Sequence, residues 1–372
     1  MPLIAILAAL HAYIGVSLLG PFGPYAQAAG GVFLVALFLL MPRSWWVRAD
    51  RPPWRVMLPW VATGFFSWLL VLTFLRDVAL IIARLALDPA ALAHWTRASA
   101  LTVMAVAPII GVVGFLMARR VAAVRHVDVR IHGLPDGLHG FTIAQITDVH
   151  VGPTIKGDFV QRIVERVNTL EADMVAITGD LVDGSVLALA PHTAPLAALQ
   201  SRYGTYAVTG NHEYYSGAPA WIAELRRLGV TVLLNEHVVI EHGGARLALA
   251  GVTDFSAHHF DPAHRSDPQR ALAGAPADAM RVLLAHQPRS APHAEAAGAH
   301  LQLSGHTHGG QFWPWNHFVR LQQPFTVGLH KLGRMWIYIS SGTGYWGPPM
   351  RFGIPSEITR IRLVRGQASP TS

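Results

Sequence analysis

Long apolar runs fill the first third of the chain, and polar and apolar positions alternate in short segments after it. The uncharged or nearly uncharged runs are residues 3–19, residues 28–41, a run that begins near Leu58, and residues 98–117. A helix that crosses the hydrocarbon core of a bilayer needs about 20 mostly apolar residues. The pattern therefore predicts about four transmembrane helices within residues 1–120.

Residues 78–87 are apolar and follow the charged pair Arg76 and Asp77. They continue the third helix, either as a tilted extension of the span or as a segment at the membrane interface. A cleaved signal peptide is not expected, because no charged residue precedes Leu3 and further apolar spans follow it.

From Val127 onward the pattern predicts an α/β domain of ordinary polarity. Helical spacing of apolar residues covers 158–170 and 218–228. The predicted strands are residues 128–134, 141–150, 173–180, 204–213, 231–234, 246–254, 280–288, 300–308, 335–344 and 357–366. About 250 residues are enough to form one sizeable core.

Composition agrees with this division and limits the chemistry. Only 14% of the residues are charged and 52% are hydrophobic, whereas soluble domains have about 25% charged residues. The chain contains no cysteine, which excludes disulfides and thiolate ligands but does not fix the compartment. Any metal must therefore be held by His, Asp, Glu or Asn, and there are 20 histidines.

The distribution of arginine predicts the orientation in the membrane. Lys and Arg are enriched in cytoplasmic loops. The basic residues between the second and third spans are Arg43, Arg48, Arg51 and Arg55, and those after the fourth span are Arg119, Arg120, Arg125 and Arg130. Both segments belong on one side, which predicts a multi-pass protein of the cell (inner) membrane with the N-terminus and the large second domain in the cytoplasm. Arg76, Arg84 and Arg97 on the other side oppose this orientation, partly offset by Asp77 and Asp88.

Polar residues follow the apolar core of five predicted strands. Asp148 and His150 follow one, Asp180 the next, and Asn211 with His212 the third; His286 follows a later strand, and His306 and His308 another. In sheet-based α/β folds, sites gather at the carboxyl ends of strands. Taken singly, each residue has an ordinary alternative: Asp148 as a turn or cap residue, His286 as a hydrogen-bonded core histidine, and residues 304–311 as a polar surface turn.

In this order, the motifs resemble the calcineurin-like metallophosphoesterase superfamily over about residues 130–365. They are Asp148-Val149-His150, Gly179-Asp180, Gly210-Asn211-His212-Glu213, His286 and Gly305-His306-Thr307-His308. The forms "GHTHGGQ" and "YWGPPMRFGIPSE" resemble its membrane-associated branch, transmembrane proteins with a metallophosphoesterase domain. The resemblance implies a β-sandwich flanked by helices over residues 121–372, preceded by the transmembrane region of residues 1–120.

By that resemblance, two divalent ions occupy the strand ends, and each histidine of the "GHTH" segment serves a different ion. The first ion would be bound by Asp148, His150, Asp180 and His308, and the second by Asp180, Asn211, His286 and His306. Asp180 would bridge them. With oxygen and imidazole ligands and no thiolate, the plausible metals are Mn, Fe, Zn and Co.

The resemblance assigns His212 a place at the phosphate rather than on a metal, as a hydrogen-bond donor or general acid. Glu213 stands where the family often has Asp and would orient that imidazole. The implied nucleophile is a hydroxide bridging the two metals. Asp183, Asp254 and Tyr345 lie near motif segments and are candidates for supporting or substrate contacts.

The sequence thus predicts a membrane-anchored, metal-dependent hydrolase of phosphoester or pyrophosphate bonds. Its anchor favours a phosphorylated, lipid-linked substrate at the bilayer, such as UDP-2,3-diacylglucosamine of lipid A synthesis, which relatives in this branch hydrolyse. The alternatives are a phosphatase of proteins or small phosphoesters and a non-enzymatic metal-sensing scaffold. No nucleic-acid partner is expected, because membrane-flanking loops account for much of the excess arginine behind the net charge of +7.

One aromatic segment keeps two interpretations. Residues 312–333 combine Trp and Phe with a few basic residues. The segment is either a packed cap over the sheet or a lip that meets the membrane surface or an acyl chain.

Overall fold

Two units make up the computed structural model, which describes residues 2–46 and 53–366. The first unit comprises Met1–Arg119 together with Gly347–Phe352, and the second comprises Arg120–Trp346 together with Gly353–Ser372. Arg48 and Arg51, on which part of the orientation argument rests, lie outside the described residues.

Four helices form most of the first unit, and each is long and apolar enough to cross a membrane. They are α1 Pro2–Leu19, α2 Pro24–Leu40, α3 Pro53–Ala83 and α4 Pro89–Arg119. Helix α3 runs without a break through Arg76 and Asp77, so the apolar residues after this pair extend the third helix as far as Ala83.

The buried charge of Arg76 is neutralised and hydrogen-bonded inside the helical unit. Its guanidinium pairs with Asp77 at 2.7 Å and donates to the Ser17 hydroxyl at 2.9 Å. It also donates to the Ser99 hydroxyl at 3.0 Å and the Thr96 carbonyl at 2.7 Å. An unpaired charge in an apolar environment is costly, so these bonds tie α1, α3 and α4 together.

A segment from near the end of the chain completes the first unit. The Trp68 indole of α3 donates to the Met350 sulfur at 2.8 Å, and the Arg351 amide donates to the Gly114 carbonyl of α4 at 2.9 Å. A Cβ on Gly64 would lie 2.8 Å from the Met350 methyl. The small residues Gly64 on α3 and Gly114 on α4 leave room for this segment. The predicted second domain, residues 121–372, had included it.

Two six-stranded sheets form the second unit. The first has the order β1-β12-β2-β3-β4-β5, and the second has the order β10-β11-β9-β8-β7-β6. The strands are β1 Ala123–Ile131, β2 Thr142–Ile146, β3 Met174–Thr178, β4 Thr205–Val208, β5 Thr231–Val232, β6 Glu236–His242, β7 Ala245–Gly251, β8 Met280–Leu284, β9 Leu301–Ser304, β10 Gly328–Leu332, β11 Met335–Ile339 and β12 Glu357–Arg365.

Alternating side chains pack the two sheets against each other. Ile143 and Ile361 from the first sheet share one buried core with Leu249 and Leu303 from the second. Residues one position along, such as Ala250, point to the outer face of the second sheet and pack with helices there. The predicted α/β fold, with sheets flanked by helices and apolar helices before them, is confirmed.

Six further helices complete the second unit: α5 Gly157–Asn168, α6 Val186–Thr193, α7 Asn211–Tyr215, α8 Ala218–Arg227, α9 Pro268–Leu272 and α10 Ala291–Ala296. Helices α5 and α8 match the predicted ones to within a few residues. Strands β6 and β10 and helices α6, α7, α9 and α10 were not predicted, and α7 begins within the end of a predicted strand.

Candidate metal centre

Seven predicted ligands stand just beyond the ends of five strands, three in one sheet and two in the other. Strands β2, β3 and β4 pair in parallel, as do β8 and β9, so the carboxyl ends within each set lie at one edge. The residues that follow these ends are Asp148 and His150 after β2, Asp180 after β3, Asn211 after β4, His286 after β8, and His306 and His308 after β9.

Their side chains converge into overlapping groups. The groups are Asp148 with His150 and His308; His150 with Asp180 and His212; and Asp180 with His286 and His306. Within each group the candidate ligand atoms all lie within 4.8 Å of one another. Asp180 and His150 each belong to two of the groups, and of the two only Asp180 has a carboxylate, whose two oxygens could contact two ions at once.

The backbone is strained where it delivers these side chains. Eight of the described non-glycine residues have positive φ, and Asp148, His150, Asp180, His306 and His308 are among them, with φ between 49° and 69°. Such conformations are uncommon outside glycine and concentrate at functional sites. The fold holds these five residues in an unfavourable backbone geometry that aims their side chains at one place.

Two glycines leave room for the converging carboxylates. A Cβ on Gly210 would collide with the Asp180 carboxylate and lie 2.5 Å from the Asp180 nitrogen. A Cβ on Gly305 would collide with the Asp148 carboxylate. Glycine is therefore required at both positions for the backbone to approach the acidic residues.

The hydrogen bond of His286 fixes which ring nitrogen faces the centre. Its Nδ1 lies 2.8 Å from the Thr178 carbonyl oxygen, which only accepts, so Nδ1 carries the proton. In the neutral ring, Nε2 then presents a lone pair 3.1 Å from Asp180 Oδ2 and 3.1 Å from His306 Nδ1. Burial lowers the pKa of His286, but the charge and hydrogen bond of Asp180 raise it well above the ordinary value, so a proton or a metal ion can stand between Nε2 and the carboxylate.

His150 is arranged in the same way on the other side. Its Nδ1 lies 3.1 Å from Asp183 Oδ1, which directs its Nε2 toward His308 Nε2 at 3.0 Å. His308 Nε2 also lies 3.5 Å from Asp148 Oδ1. A carboxylate behind an imidazole is the usual support of a metal-binding histidine.

Asn211 supplies a further observation that fits a bound ion. Its Oδ1 is buried and has no hydrogen-bond partner among the residues that the structure describes. Buried polar atoms nearly always have a partner, so an orphaned oxygen beside carboxylates and imidazoles suits a cation ligand. The oxygen and imidazole groups present therefore fit divalent cations.

Close packing of the ionisable groups at the centre shifts their pKa values in both directions. Burial raises the pKa of Asp148, and the neighbouring Asp180 raises it further. Burial also opposes ionisation of Asp180, but His286, His212 and His150 outweigh it and hold its pKa well below the ordinary value. Burial lowers the pKa of His150, yet the charge and hydrogen bond of Asp183 raise it to about 9.

Glu213 does not orient His212, which corrects the role expected for it. Its buried carboxylate accepts backbone N–H groups from Asp180 at 3.0 Å, Leu181 at 2.7 Å, Val182 at 3.3 Å and Gly210 at 2.6 Å. Burial and the Asp180 charge raise its pKa to about 7. Glu213 therefore holds the turns that carry Asp180 and Asn211, and it is a positioning residue.

Asp183 takes the place at the imidazole instead. Its Oδ1 lies 2.5 Å from His212 Nδ1, and the same atom lies 3.1 Å from His150 Nδ1. One carboxylate thus orients a predicted ligand and the predicted acid. His212 Nε2 is left facing the centre, 4.0 Å from Asp180 Oδ2, so ligation by His212 is a geometric alternative.

The other two supporting candidates bond to residues outside the predicted ligand set. Buried Asp254 accepts from Gln287 Nε2 at 3.1 Å, next to His286 in the chain. Buried Tyr345 donates to the Thr154 carbonyl at 3.5 Å.

Two exposed aromatic side chains flank His212. Tyr215 is 62% exposed and its ring centroid lies 5.1 Å from the imidazole; Trp346 is 52% exposed and lies 5.7 Å from it. The Trp346 amide and carbonyl both bond to the Gln311 side chain, at 2.9 Å each. No pattern in the sequence pointed to Tyr215 at this position.

Comparison with known proteins identifies the family. A profile of the calcineurin-like phosphoesterases matches residues 141–310, which contain all the predicted ligands together with His212 and Glu213. A zebrafish (Danio rerio) transmembrane protein with metallophosphoesterase domain is 33% identical over 325 residues, covering 84% of this chain and 74% of the relative. The chain belongs to the calcineurin-like metallophosphoesterases.

A bovine (Bos taurus) transmembrane protein with metallophosphoesterase domain is 43% identical over 283 residues, covering 73% of this chain. The chain spans 63% of that relative's length. Among solved structures, the sulfate thiohydrolase SoxB of Thermus thermophilus is 16% identical, with a TM-score of 0.38, and the match covers 57% of this chain and 53% of that one. This metallophosphoesterase, which has four helices that could cross a membrane among its described residues, thus has family members that are named as transmembrane proteins.

Proposed function

We propose that this metallophosphoesterase is a membrane-anchored enzyme that uses two divalent ions to hydrolyse a phosphoester or pyrophosphate bond. The observation that carries the proposal is the position of Asp180, the one carboxylate among the described residues that lies in two of these ligand groups. The first ion would be held by Asp148, His150, Asp180 and His308. The second would be held by Asp180, Asn211, His286 and His306.

The ions would supply Lewis acidity when bound, neutralising charge on the phosphoryl group and lowering the pKa of water. The protein's part is to hold the ligands in position before substrate arrives. Thr178 and Asp183 fix the tautomers of His286 and His150, and Glu213 fixes the backbone around Asp180. Such supporting contacts typically affect metal affinity or activity 10–100-fold.

His212 is proposed as the general acid. The hydrogen bond from its Nδ1 to Asp183 leaves Nε2 facing the centre, where it can give a proton to the departing oxygen. The same hydrogen bond to the Asp183 carboxylate holds the imidazole in the orientation that this role requires.

The proposed substrate is amphiphilic and lipid-linked. Exposed Tyr215 and Trp346 form an apolar surface beside His212, where the leaving group of the substrate would lie. Such a surface suits a leaving group with a lipid chain or an aromatic ring better than a small polar alcohol. Four helices that could cross a membrane support a substrate delivered in the bilayer. A nucleotide-linked lipid pyrophosphate, such as UDP-2,3-diacylglucosamine, meets both conditions.

The test is hydrolysis by the detergent-purified chain of a panel of lipid-linked pyrophosphates, monoesters and diesters, with Mn, Fe, Zn and Co varied. We expect metal-dependent turnover with the highest kcat/KM on a lipid-linked pyrophosphate. Turnover confined to phosphoproteins or small esters would overturn the substrate class. Metal binding without hydrolysis of any member would favour the metal-sensing scaffold over the enzyme.

A further inference from the structure

The aromatic segment of residues 312–333 has packed ends and an exposed middle. At one end Phe312 is buried, and at the other Phe325 packs against the core on the outer face of the second sheet. Between them, Trp315 is 40% exposed, Phe318 53% and Leu321 82%. If the whole segment were a packed cap over the sheet, the apolar side chains of the segment would be buried. The cap interpretation therefore fits the ends of the segment but not its middle.

The three exposed side chains lie in a single stripe. The Phe318 amide donates to the Trp315 carbonyl and the Leu321 amide to the Phe318 carbonyl, each at 3.0 Å. This bonding pattern is that of 3₁₀ turns, in which residues three apart lie above one another. The rings of Trp315 and Phe318 are also in contact, with centroids 5.9 Å apart. These three residues are called the apolar stripe below.

Along the chain, the charges near the apolar stripe have one sign. No Asp or Glu occurs between Glu295 and Glu357, whereas Arg320 lies within the stripe's own turns and Lys331 and Arg334 follow it. All three basic side chains are exposed. A partner with an acidic surface and an apolar interior complements both features.

We propose that the apolar stripe inserts into the interface of an anionic lipid bilayer. Trp and Phe favour the boundary between headgroups and acyl chains, and basic residues near it are attracted to anionic headgroups. The occupant is lipid rather than a protein groove because the chain carries helices that could cross a membrane, which keep a bilayer within reach. The stripe would give the phosphoesterase unit its own contact with the membrane, in addition to the helices.

The absence of cysteine allows a direct test in the full chain. Leu321→Cys carries a bimane label, and the labelled protein is reconstituted in nanodiscs of phosphatidylcholine with phosphatidylglycerol. The matched control is Val239→Cys, because Val239 is an apolar residue exposed on β6 between Glu236 and Glu241. Quenching is measured with doxyl-labelled lipid and with aqueous iodide, so the readout does not depend on hydrolysis.

We expect the label at position 321 to be quenched several-fold more by doxyl lipid than the label at 239, and to be protected from iodide. Adding Arg320→Glu should reduce the lipid quenching, because repulsion from anionic headgroups replaces attraction. Iodide quenching at 321 equal to that at 239 would overturn the proposal. Protection from both quenchers would also overturn it and would indicate a second copy of the chain as the occupant.

Discussion

Asp183 Oδ1 lies 2.5 Å from His212 Nδ1 and also 3.1 Å from His150 Nδ1. One carboxylate is therefore coupled to the proposed acid and to a proposed metal ligand. Its effects on the two can be separated by measuring turnover and metal content in the same variant.

Asp183→Asn should lower kcat by roughly 10–100-fold and weaken metal binding at the His150 side. An amide cannot balance the charge of a protonated imidazole, and it accepts at only one of its two positions. The measurement is kcat together with metal content. Asp183→Glu, which keeps the charge, should recover part of the loss; no difference between the two variants would contradict an electrostatic role.

His212→Ala should keep both ions and the fold while turnover falls by roughly 10²–10⁴, the usual loss for a general acid. The loss should be smaller for a nitrophenyl ester than for an alkyl ester, because a low-pKa leaving oxygen needs little protonation. Turnover of both esters and metal content are measured in one preparation.

The matched variant is His308→Ala, which should lose metal and slow both esters alike. If His212→Ala also lost a metal, or slowed the two esters equally, His212 would be a ligand or an electrostatic contact to the phosphate.

Glu213→Gln should lower the stability of the fold. The ratio of the turnover of the nitrophenyl ester to that of the alkyl ester should stay close to that of the unaltered chain. Backbone N–H groups that now point at carboxylate oxygens would face an amide NH₂, and losing such charge-assisted bonds in a buried site costs about 2–3 kcal/mol. We expect the Tm in detergent to fall by roughly 4–12 °C. The exposed Glu165→Gln is the control; a reduced kcat at unchanged Tm would restore an orienting role toward His212.

A topology reporter fused after Ser372 should behave as cytoplasmic, because basic residues flank the helices on that side. The same reporter fused after Phe22, in the uncharged loop between the first two helices, should report the opposite side. Periplasmic activity at the C-terminal fusion would reverse the orientation and exclude a cytosolic nucleotide-linked lipid as substrate.

Much of the fold, and the strand ends at which the candidate ligands lie, could be predicted from the sequence for one physical reason. Short apolar runs that end in Asp, Asn or His predict buried strands with polar side chains at their ends. In the structure the five strands end next to Asp148, Asp180, Asn211, His286 and His306. Strand β6 was missed because its sequence, EHVVIEH, is polar at both ends, as suits the edge of a sheet.

The supporting contacts could not be predicted in the same way. Glu213 and Asp183 both lie close to the motifs, and only the packing of one turn against another decides which carboxylate reaches His212. Likewise, Gly347–Phe352 belongs to the helical unit and packs against Gly64 and Gly114. The sequence alone does not show that these two positions must be small, because it does not show which segment packs there.

The shared position of Asp180 is tested most directly by counting divalent ions per purified chain in Asp180→Ala, with turnover measured in parallel. Asp158→Ala, which removes an exposed carboxylate on α5, is the control and should bind about two ions like the unaltered chain. We predict that Asp180→Ala loses metal from both positions and hydrolyses no substrate. Near-normal turnover with two ions still bound would contradict the proposed centre.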